Sequence, residues 1–331
     1  MLTRERHLPV LADRVTELLR PRPGAVLVDA TLGLGGHAER LLDAGATVVG
    51  LDRDPHALAA AGERLAGAGE RLRTVRASFA DLAAAAAEAG VDQVDGVLYD
   101  LGVSSMQLDE AGRGFSYRHD APLDMRMDPD GPVSAADVVN DYPVEELARV
   151  LREWGEERFA GRIARAIGDA RRTGVIRTTV ELAELVKQAI PAAARRRGPH
   201  PARRTFQALR IEVNGELAAL EASLPQAVEL LAPGGRLVVL SYHSLEDRIT
   251  KQFLAAESGR APAPGLPGLP PPGLPEPRLV LLTRRPETPA PAEVQANPRA
   301  ESAKLRAAEA RQIRPTPTRP DPSNRSEAEG R

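Results

Sequence analysis

Residues 25–38 read Ala25-Val26-Leu27-Val28-Asp29-Ala30-Thr31-Leu32-Gly33-Leu34-Gly35-Gly36-His37-Ala38, and this stretch decides the fold class. Ala25 to Ala30 is a short apolar run of the length of a buried strand. A glycine turn over Gly33–Gly36 follows, and His37 to Ala44 has the pattern of a helix. The segment Gly33 to Ala38 matches G-x-G-x-x-G/A between a strand and a helix. Glycine lets backbone approach a ligand closely and take positive φ. The helix start offers N–H groups that have no partner within the helix.

Outward from this unit, strand and helix alternate. A second strand, Ala46 to Leu51, ends at Asp52, and Pro55 to Leu65 is a helix with proline at its first position. Leu72 to Arg76 and Val94 to Leu101 read as the third and fourth strands, with a helix over Asp81–Ala89 between them. Upstream, Val10 to Leu19 reads as a short helix. This alternation predicts a parallel sheet covered on both faces. Asp52 stands nineteen residues after Gly33, a spacing that suits a carboxylate accepting hydrogen bonds from ribose hydroxyls.

The pattern then breaks. Residues 109–210 read as Gly/Pro-broken loops followed by helices over Pro143–Arg152, Glu156–Arg171 and Thr179–Ala189. It resumes with a helix from Asn214 to Leu231, a Pro233-Gly234-Gly235 turn, a strand over Arg236–Ser241, a helix over Leu245–Ala256 and a last strand over Arg278–Thr283. The expected organisation is one α/β domain, residues 1–108 and 212–313, carrying an inserted helical domain at 109–211. Residues 261–277 form a Pro/Gly-rich loop, and a tail at 314–331 is expected to be disordered.

The chain has 331 residues, 42% of them apolar and 27% charged, enough for a sizeable core. Cysteine is absent, which excludes disulfides, thiolate metal sites and cysteine nucleophiles and fits a reducing compartment. The histidines are scattered, so no metal is expected. No apolar run reaches the ~18 residues of a membrane span, and residues 1–11 lack the apolar stretch of a signal peptide. A cytoplasmic location with no membrane partner is the expectation. A homodimer is compatible with the sequence, although no stripe demands one.

The net charge of −2 hides an asymmetry. Residues 109–157 hold 5 Lys/Arg against 13 Asp/Glu, whereas 158–210 hold 13 against 3. The densest basic stretch is Arg195-Arg196-Arg197 with His200, Arg203 and Arg204. Such a patch points to phosphates, each contact releasing counterions. A solvated helical face is the competing reading.

The glycine loop alone does not separate a dinucleotide from S-adenosylmethionine, since both present an adenosine. Asp29 is placed to meet a cationic methionine ammonium, Phe79 follows the third strand where an adenine ring would lie, and Asp100 ends the fourth strand at the substrate edge of an open sheet. No Tyr-x-x-x-Lys pair is present, which weakens a hydride-transfer reading. A dinucleotide-dependent oxidoreductase and a non-catalytic RNA-binding assembly factor stay open as alternatives.

Longer signatures narrow this further. They include His7-Leu8-Pro9-Val10-Leu11, Asp29 to His37, Leu51-Asp52-Arg53-Asp54-Pro55 and Asp100-Leu101-Gly102-Val103-Ser104-Ser105 with Gln107-Leu108-Asp109. Arg113-Gly114-Phe115-Ser116, Pro122 to Asp128, Gly155 to Phe159, Arg204 to Ile211, Ser241 to Arg248 and Asn297 to Ala300 continue the series. In these motifs the chain resembles the MraW/RsmH family of bacterial methyltransferases, which use S-adenosylmethionine to modify N4 of a cytosine in 16S ribosomal RNA. Tyr242 departs from the expected Phe, and 261–277 is an extension.

The resemblance implies a Rossmann-like class I methyltransferase domain with a mostly parallel seven-stranded sheet, plus an inserted helical domain that helps hold RNA. It implies that Gly35, Gly36, His37, Asp52, Phe79, Asp100 and Gln107 contact S-adenosylmethionine, and that the partner is 16S ribosomal RNA in the small ribosomal subunit. For the chemistry, Asp100 and the adjoining backbone to Ser104 are candidate acceptors for the amino group. His243, just after the fifth strand, is a candidate to take the proton or orient the base. Arg195, Arg196, Arg197, Arg203 and Arg204 are candidate phosphate contacts. Phe115 and Tyr117, near Arg113 and Arg118, are candidates to stack on nucleotides. Asp124, Arg126 and Asp128 are either substrate-facing or a structural ion-pair set.

Overall fold

A computed structural model of the chain describes residues 9–195, 200–260 and 276–311. Arg196, Arg197, most of the 261–277 loop and the tail expected at 314–331 lie outside the described residues.

The alternating half folds as α1 (Ala12–Leu19), β1 (Val26–Asp29), α2 (Gly36–Asp43), β2 (Thr47–Asp52), α3 (Pro55–Arg64), β3 (Leu72–Arg76), α4 (Leu82–Glu88) and β4 (Val94–Asp100). Then come α5 (Ser105–Asp109), α6 (Ala135–Asp141), α7 (Val144–Glu153), α8 (Ala160–Ala170), α9 (Thr179–Ala189), α10 (Ala192–Arg195) and α11 (Arg203–Asn214). The chain returns through α12 (Glu216–Leu230), β5 (Leu231–Ser241), α13 (Ser244–Glu257), β6 (Leu279–Leu281), α14 (Pro291–Ala296) and β7 (Lys304–Ala310).

The seven strands form one sheet in the order β3-β2-β1-β4-β5-β7-β6. Strands β1 to β5 pair in parallel, and β7 runs antiparallel to both β5 and β6. Successive side chains leave a strand on opposite faces. In β5, Leu237 and Val239 therefore pack on one face with Leu220 and Leu224 of α12, while Val238 and Leu240 join Val15, Leu18 and Leu41 of α1 and α2 on the other.

The helical segment between β4 and β5 buries a core of its own. Leu147 and Leu151 of α7 meet Ile163 and Ile167 of α8, and Leu123 and Met125 from the preceding loop close over them. Polar bonds tie this segment to the sheet. The Arg53 guanidinium donates to the Asn214 carbonyl at 2.7 Å, and Arg76 pairs with Asp128 at 2.7 Å.

The structure differs from sequence expectation at several points. Leu231 already pairs with Val94, and Arg236 pairs with Gly96, so Pro233-Gly234-Gly235 bulges within β5 rather than preceding it. The helix expected over Asn214–Leu231 is α12, which starts after Gly215, whose φ of +60° closes α11 at Asn214, and ends at Leu230. The stretch Lys304–Ala310 has weak strand propensity, yet it inserts between β5 and β6 because its antiparallel register is completed by both neighbours. Asp124 and Arg126 form a two-pronged ion pair, with Arg126 also bonded to the Gly131 carbonyl, so that cluster closes a loop.

Candidate active site

The chain runs from β1 to one side of the sheet through β2 and β3 and to the other through β4, which makes β1/β4 the switch point. Open sheets bind ligands in the crevice beyond their strand C-termini at such a point. A cleft of about 880 Å³ lies there.

Its floor is built from short polar bonds. The Asp52 carboxylate accepts from the Gly33 N–H at 2.8 Å and the Asp54 N–H at 2.9 Å, which fixes the glycine loop against the end of β2. Gly33, Gly36, His37, Asp52, Phe79 and Asp100 line the cleft. Gly35 does not line it. Gly35 has φ of +74°, and a Cβ there would stand 2.7 Å from Leu65 Cδ1, so this glycine lets the loop settle on α3. Phe79 packs edge-on against Tyr99 at 5.8 Å between centroids.

Asp29 is buried beneath the loop, where its carboxylate accepts from the Thr31 N–H. Burial pushes its carboxyl up to about 6; the nearby His37 opposes this, and the charges of Asp100 and Asp52 add to it. Burial likewise raises Asp52 to about 6 against the bonds from Asp54 and Gly33.

Asp100 ends β4 with its backbone N–H bonded to Thr31 Oγ1. Its Oδ1 accepts from the Tyr242 hydroxyl at 2.6 Å, and its Oδ2 stands 3.5 Å from His37 Nε2. Burial and then the Asp100 charge hold the Tyr242 phenol well above its ordinary value. Ser104 caps α5, its Oγ accepting from the Gln107 N–H. The Gln107 side chain is spent within the chain, its Oε1 on the Ser104 N–H and its Nε2 donating to Asp54 Oδ2.

His243 caps α13. Its Nδ1 faces the Glu246 N–H at 3.5 Å and its Nε2 stands 3.1 Å from Glu246 Oε1. Glu246 is buried, and its Oε2 accepts from the Tyr242 N–H at 2.7 Å. Burial would raise that carboxyl, but His243, Arg210 and the Tyr242 N–H hold it below its usual range.

The helical segment forms the opposite wall with Tyr117, His200, Arg203, Phe206 and Arg210. Phe115 also lines the cleft while its ring lies in the helical core. Of the basic candidates, Arg203 lines the cleft, whereas Arg195 and Arg204 do not. Arg204 instead donates to the Glu156 carbonyl.

Sequence reading missed three groups. Asp54, fully buried, pairs with Arg113 at 2.9 Å while holding Gln107. Arg210 and the buried Glu216 form a two-pronged pair at 2.8 and 2.9 Å. His200 joins Tyr117 from far along the chain. Most of these residues stood within the quoted signatures and the basic stretch, but their pairing across the chain had no local signal. Among the described residues no His/Asp/Glu group is arranged to hold a metal ion, and no helix is long and apolar enough to cross a membrane.

The pattern of the MraW methylase family matches residues 4–311. The ribosomal RNA small subunit methyltransferase H of Acidothermus cellulolyticus is 58% identical over 308 residues, covering 92% of this chain and 93% of that protein. The enzyme of the same name from Thermobifida fusca is 58% identical with the same coverage, and that from Mycolicibacterium smegmatis is 54% identical over 92% of this chain and 83% of its own. The match across nearly the whole length, on a seven-stranded sheet with this cleft at its switch point, establishes that the chain belongs to the MraW methylase family.

Proposed function

We propose that the chain transfers a methyl group from S-adenosylmethionine to the exocyclic N4 of a cytosine in 16S ribosomal RNA within the small ribosomal subunit. One observation carries this reading. A single cleft has the glycine loop and its carboxylates at one end and aromatic and basic side chains of the helical segment at the other. Its volume suits a nucleoside-sized ligand with a base beside it. Residues 109–211 are assigned to holding RNA, and 1–108 with 212–313 to the methyl donor.

The residues present fit such a donor. Asp29, Asp52 and Asp100 stand together around the loop, and a ligand carrying ammonium and sulfonium charge relieves the cost of keeping Asp29 and Asp52 ionised. Asp52 is assigned to the ribose hydroxyls and Phe79 to the adenine. Gly36 and His37 offer the start of α2, and Gln107 closes the wall, with Gly35 supporting the loop from behind. S-adenosylmethionine supplies a methyl group on a good leaving group, suited to in-line displacement.

The chain's own task is placement, because the N4 lone pair of cytosine is delocalised into the ring. Holding nitrogen in line lowers the barrier by orientation; the new N–C bond forms as the methyl–sulfur bond breaks, and the methylated nitrogen then releases one proton to water. Asp100, with the backbone from Leu101 to Ser104, accepts hydrogen bonds from the amino group and favours the positive charge developing there. Tyr242 fixes the Asp100 carboxylate for that task. His243, with both ring nitrogens turned to the start of α13, is assigned to shaping the wall rather than to taking the proton. A base stacked in RNA cannot reach this depth, so the target is flipped out or already exposed.

The test is transfer from labelled S-adenosylmethionine to small ribosomal subunits from a strain lacking the gene, followed by digestion to nucleosides. Label in N4-methylated cytidine is expected. Label in another nucleoside overturns the acceptor assignment, and donor binding without transfer favours the non-catalytic assembly factor.

A further inference from the structure

Five arginines line the cleft among the described residues, and they divide into two kinds. Arg53 is bonded to the Asn214 carbonyl, Arg210 to Glu216 and Arg299 to Asp109. Arg118 and Arg203 have no side-chain partner among the described residues, although each faces the same cleft. The two unpaired guanidinium groups belong to residues whose backbone adjoins one feature. Arg118 follows Tyr117, and the Arg203 N–H donates to the His200 carbonyl at 3.0 Å.

Tyr117 and His200 are stacked, with ring centroids 4.4 Å apart and planes 10° from parallel. Tyr117 in turn meets Phe206 edge-on at 5.5 Å. The three rings run outward from the helical core, with Phe206 buried, Tyr117 half-buried and His200 exposed. His200 is held in place, since its Nδ1 accepts from the Ala202 N–H at 3.2 Å. Stacking on Tyr117 uses one face of the imidazole. An exposed ring of fixed plane, lining one cleft with two uncommitted cations from adjoining residues, matches single-stranded RNA, which offers a flat base and flanking phosphates.

We propose that Tyr117 and His200 form a stacking subsite at the mouth of the cleft for a nucleotide neighbouring the one whose base enters, with Arg118 and Arg203 on its phosphates. This rests on the RNA methyl-transfer reading above.

The test measures hexacytidylate affinity, with S-adenosylhomocysteine present, for the full chain and for His200→Ala, His200→Phe and Arg118→Ala. Loss of one base stack is expected to weaken binding by about 5- to 100-fold in His200→Ala. Phe keeps a flat ring and is expected to restore binding to within about threefold. Arg118→Ala is expected to lower the slope of log affinity against log salt by about 0.7. Affinity for S-adenosylhomocysteine and the melting temperature stay as in the unaltered chain, which separates the subsite from misfolding. Wild-type affinity in His200→Ala, or binding by His200→Phe as weak as by His200→Ala, overturns the subsite. So does an unaltered chain that binds donor but no hexacytidylate. An unaltered chain that binds no donor overturns instead the reading of the cleft.

Discussion

The Tyr242 hydroxyl donates a 2.6 Å hydrogen bond to Oδ1 of Asp100, joining the C-terminal ends of two neighbouring parallel strands inside the cleft. The bond leaves Oδ2 toward His37 and fixes the carboxylate plane. Hydrogen bonds to charged groups contribute about 1.5–3 kcal/mol. Tyr242→Phe keeps the ring and removes the bond. Because the family resemblance expects Phe here, the bond is a feature of this chain added to the common site, and turnover is expected to fall by no more than about tenfold, with donor KM moving less, as steady-state kinetics would show. An equal rise in donor KM at constant kcat would place the bond in donor binding instead.

Asp29 and Asp52 carry an electrostatic cost of burial. Both are raised from the usual carboxylate range to about 6, so the folded chain holds more protons than the unfolded chain between about pH 4 and 6. Their contribution to stability is therefore largest below about pH 4 and is lost as pH rises through about 6. Asp29→Asn removes one share of this cost. It is expected to raise the melting temperature at about pH 7.5, with the gap to the unaltered chain closing toward pH 4. A gap independent of pH would count against the assignment.

Binding of a cationic donor should draw protons off the same carboxylates. Affinity for S-adenosylmethionine is expected to fall as pH drops through about 6, with net proton release on binding near that pH. Calorimetry in buffers of different ionisation enthalpy measures that release. Asp29→Asn should diminish it.

Asp54 has no exposed surface and holds two groups that lead into the helical segment, Arg113 and Gln107. Removing one partner of a buried pair costs about 3–5 kcal/mol because the other charge is left uncompensated. Asp54→Ala is expected to lower unfolding free energy by that order in urea titration. Arg113→Met, which removes the opposing charge while keeping bulk, is expected to recover part of the loss in the double variant.

Two glycines separate backbone strain from packing. Gly24 has φ of +82° with nothing within 4 Å of a built Cβ, so Gly24→Ala reports the backbone cost alone, about 1 kcal/mol. Gly35→Ala adds the Leu65 contact at 2.7 Å. It is expected to destabilise the chain further and weaken donor binding as the loop lifts from α3, whereas Gly24→Ala leaves donor binding unchanged. Thermal melts and donor titration of both variants test the difference.

Local periodicity and local chemistry carried part of the fold. Apolar runs of strand length alternating with helical stripes pointed to a parallel sheet, and the turn at Gly33–Gly36 with Asp52 at the next strand end pointed to the strand ends where the cleft lies. Contacts between residues far apart in the chain came only with folding. Lys304–Ala310 is a strand only because β5 and β6 offer it backbone partners. Tyr242 becomes a partner of Asp100 because parallel pairing brings the ends of β4 and β5 together. The Arg-rich stretch was legible as charge, but which of its members faces the cleft followed from the packing of α11, which turns Arg203 inward to the cavity and Arg204 to Glu156. Composition and spacing record how each residue disposes its neighbours along the chain; long-range pairing is settled by burial and register, which have no local signature.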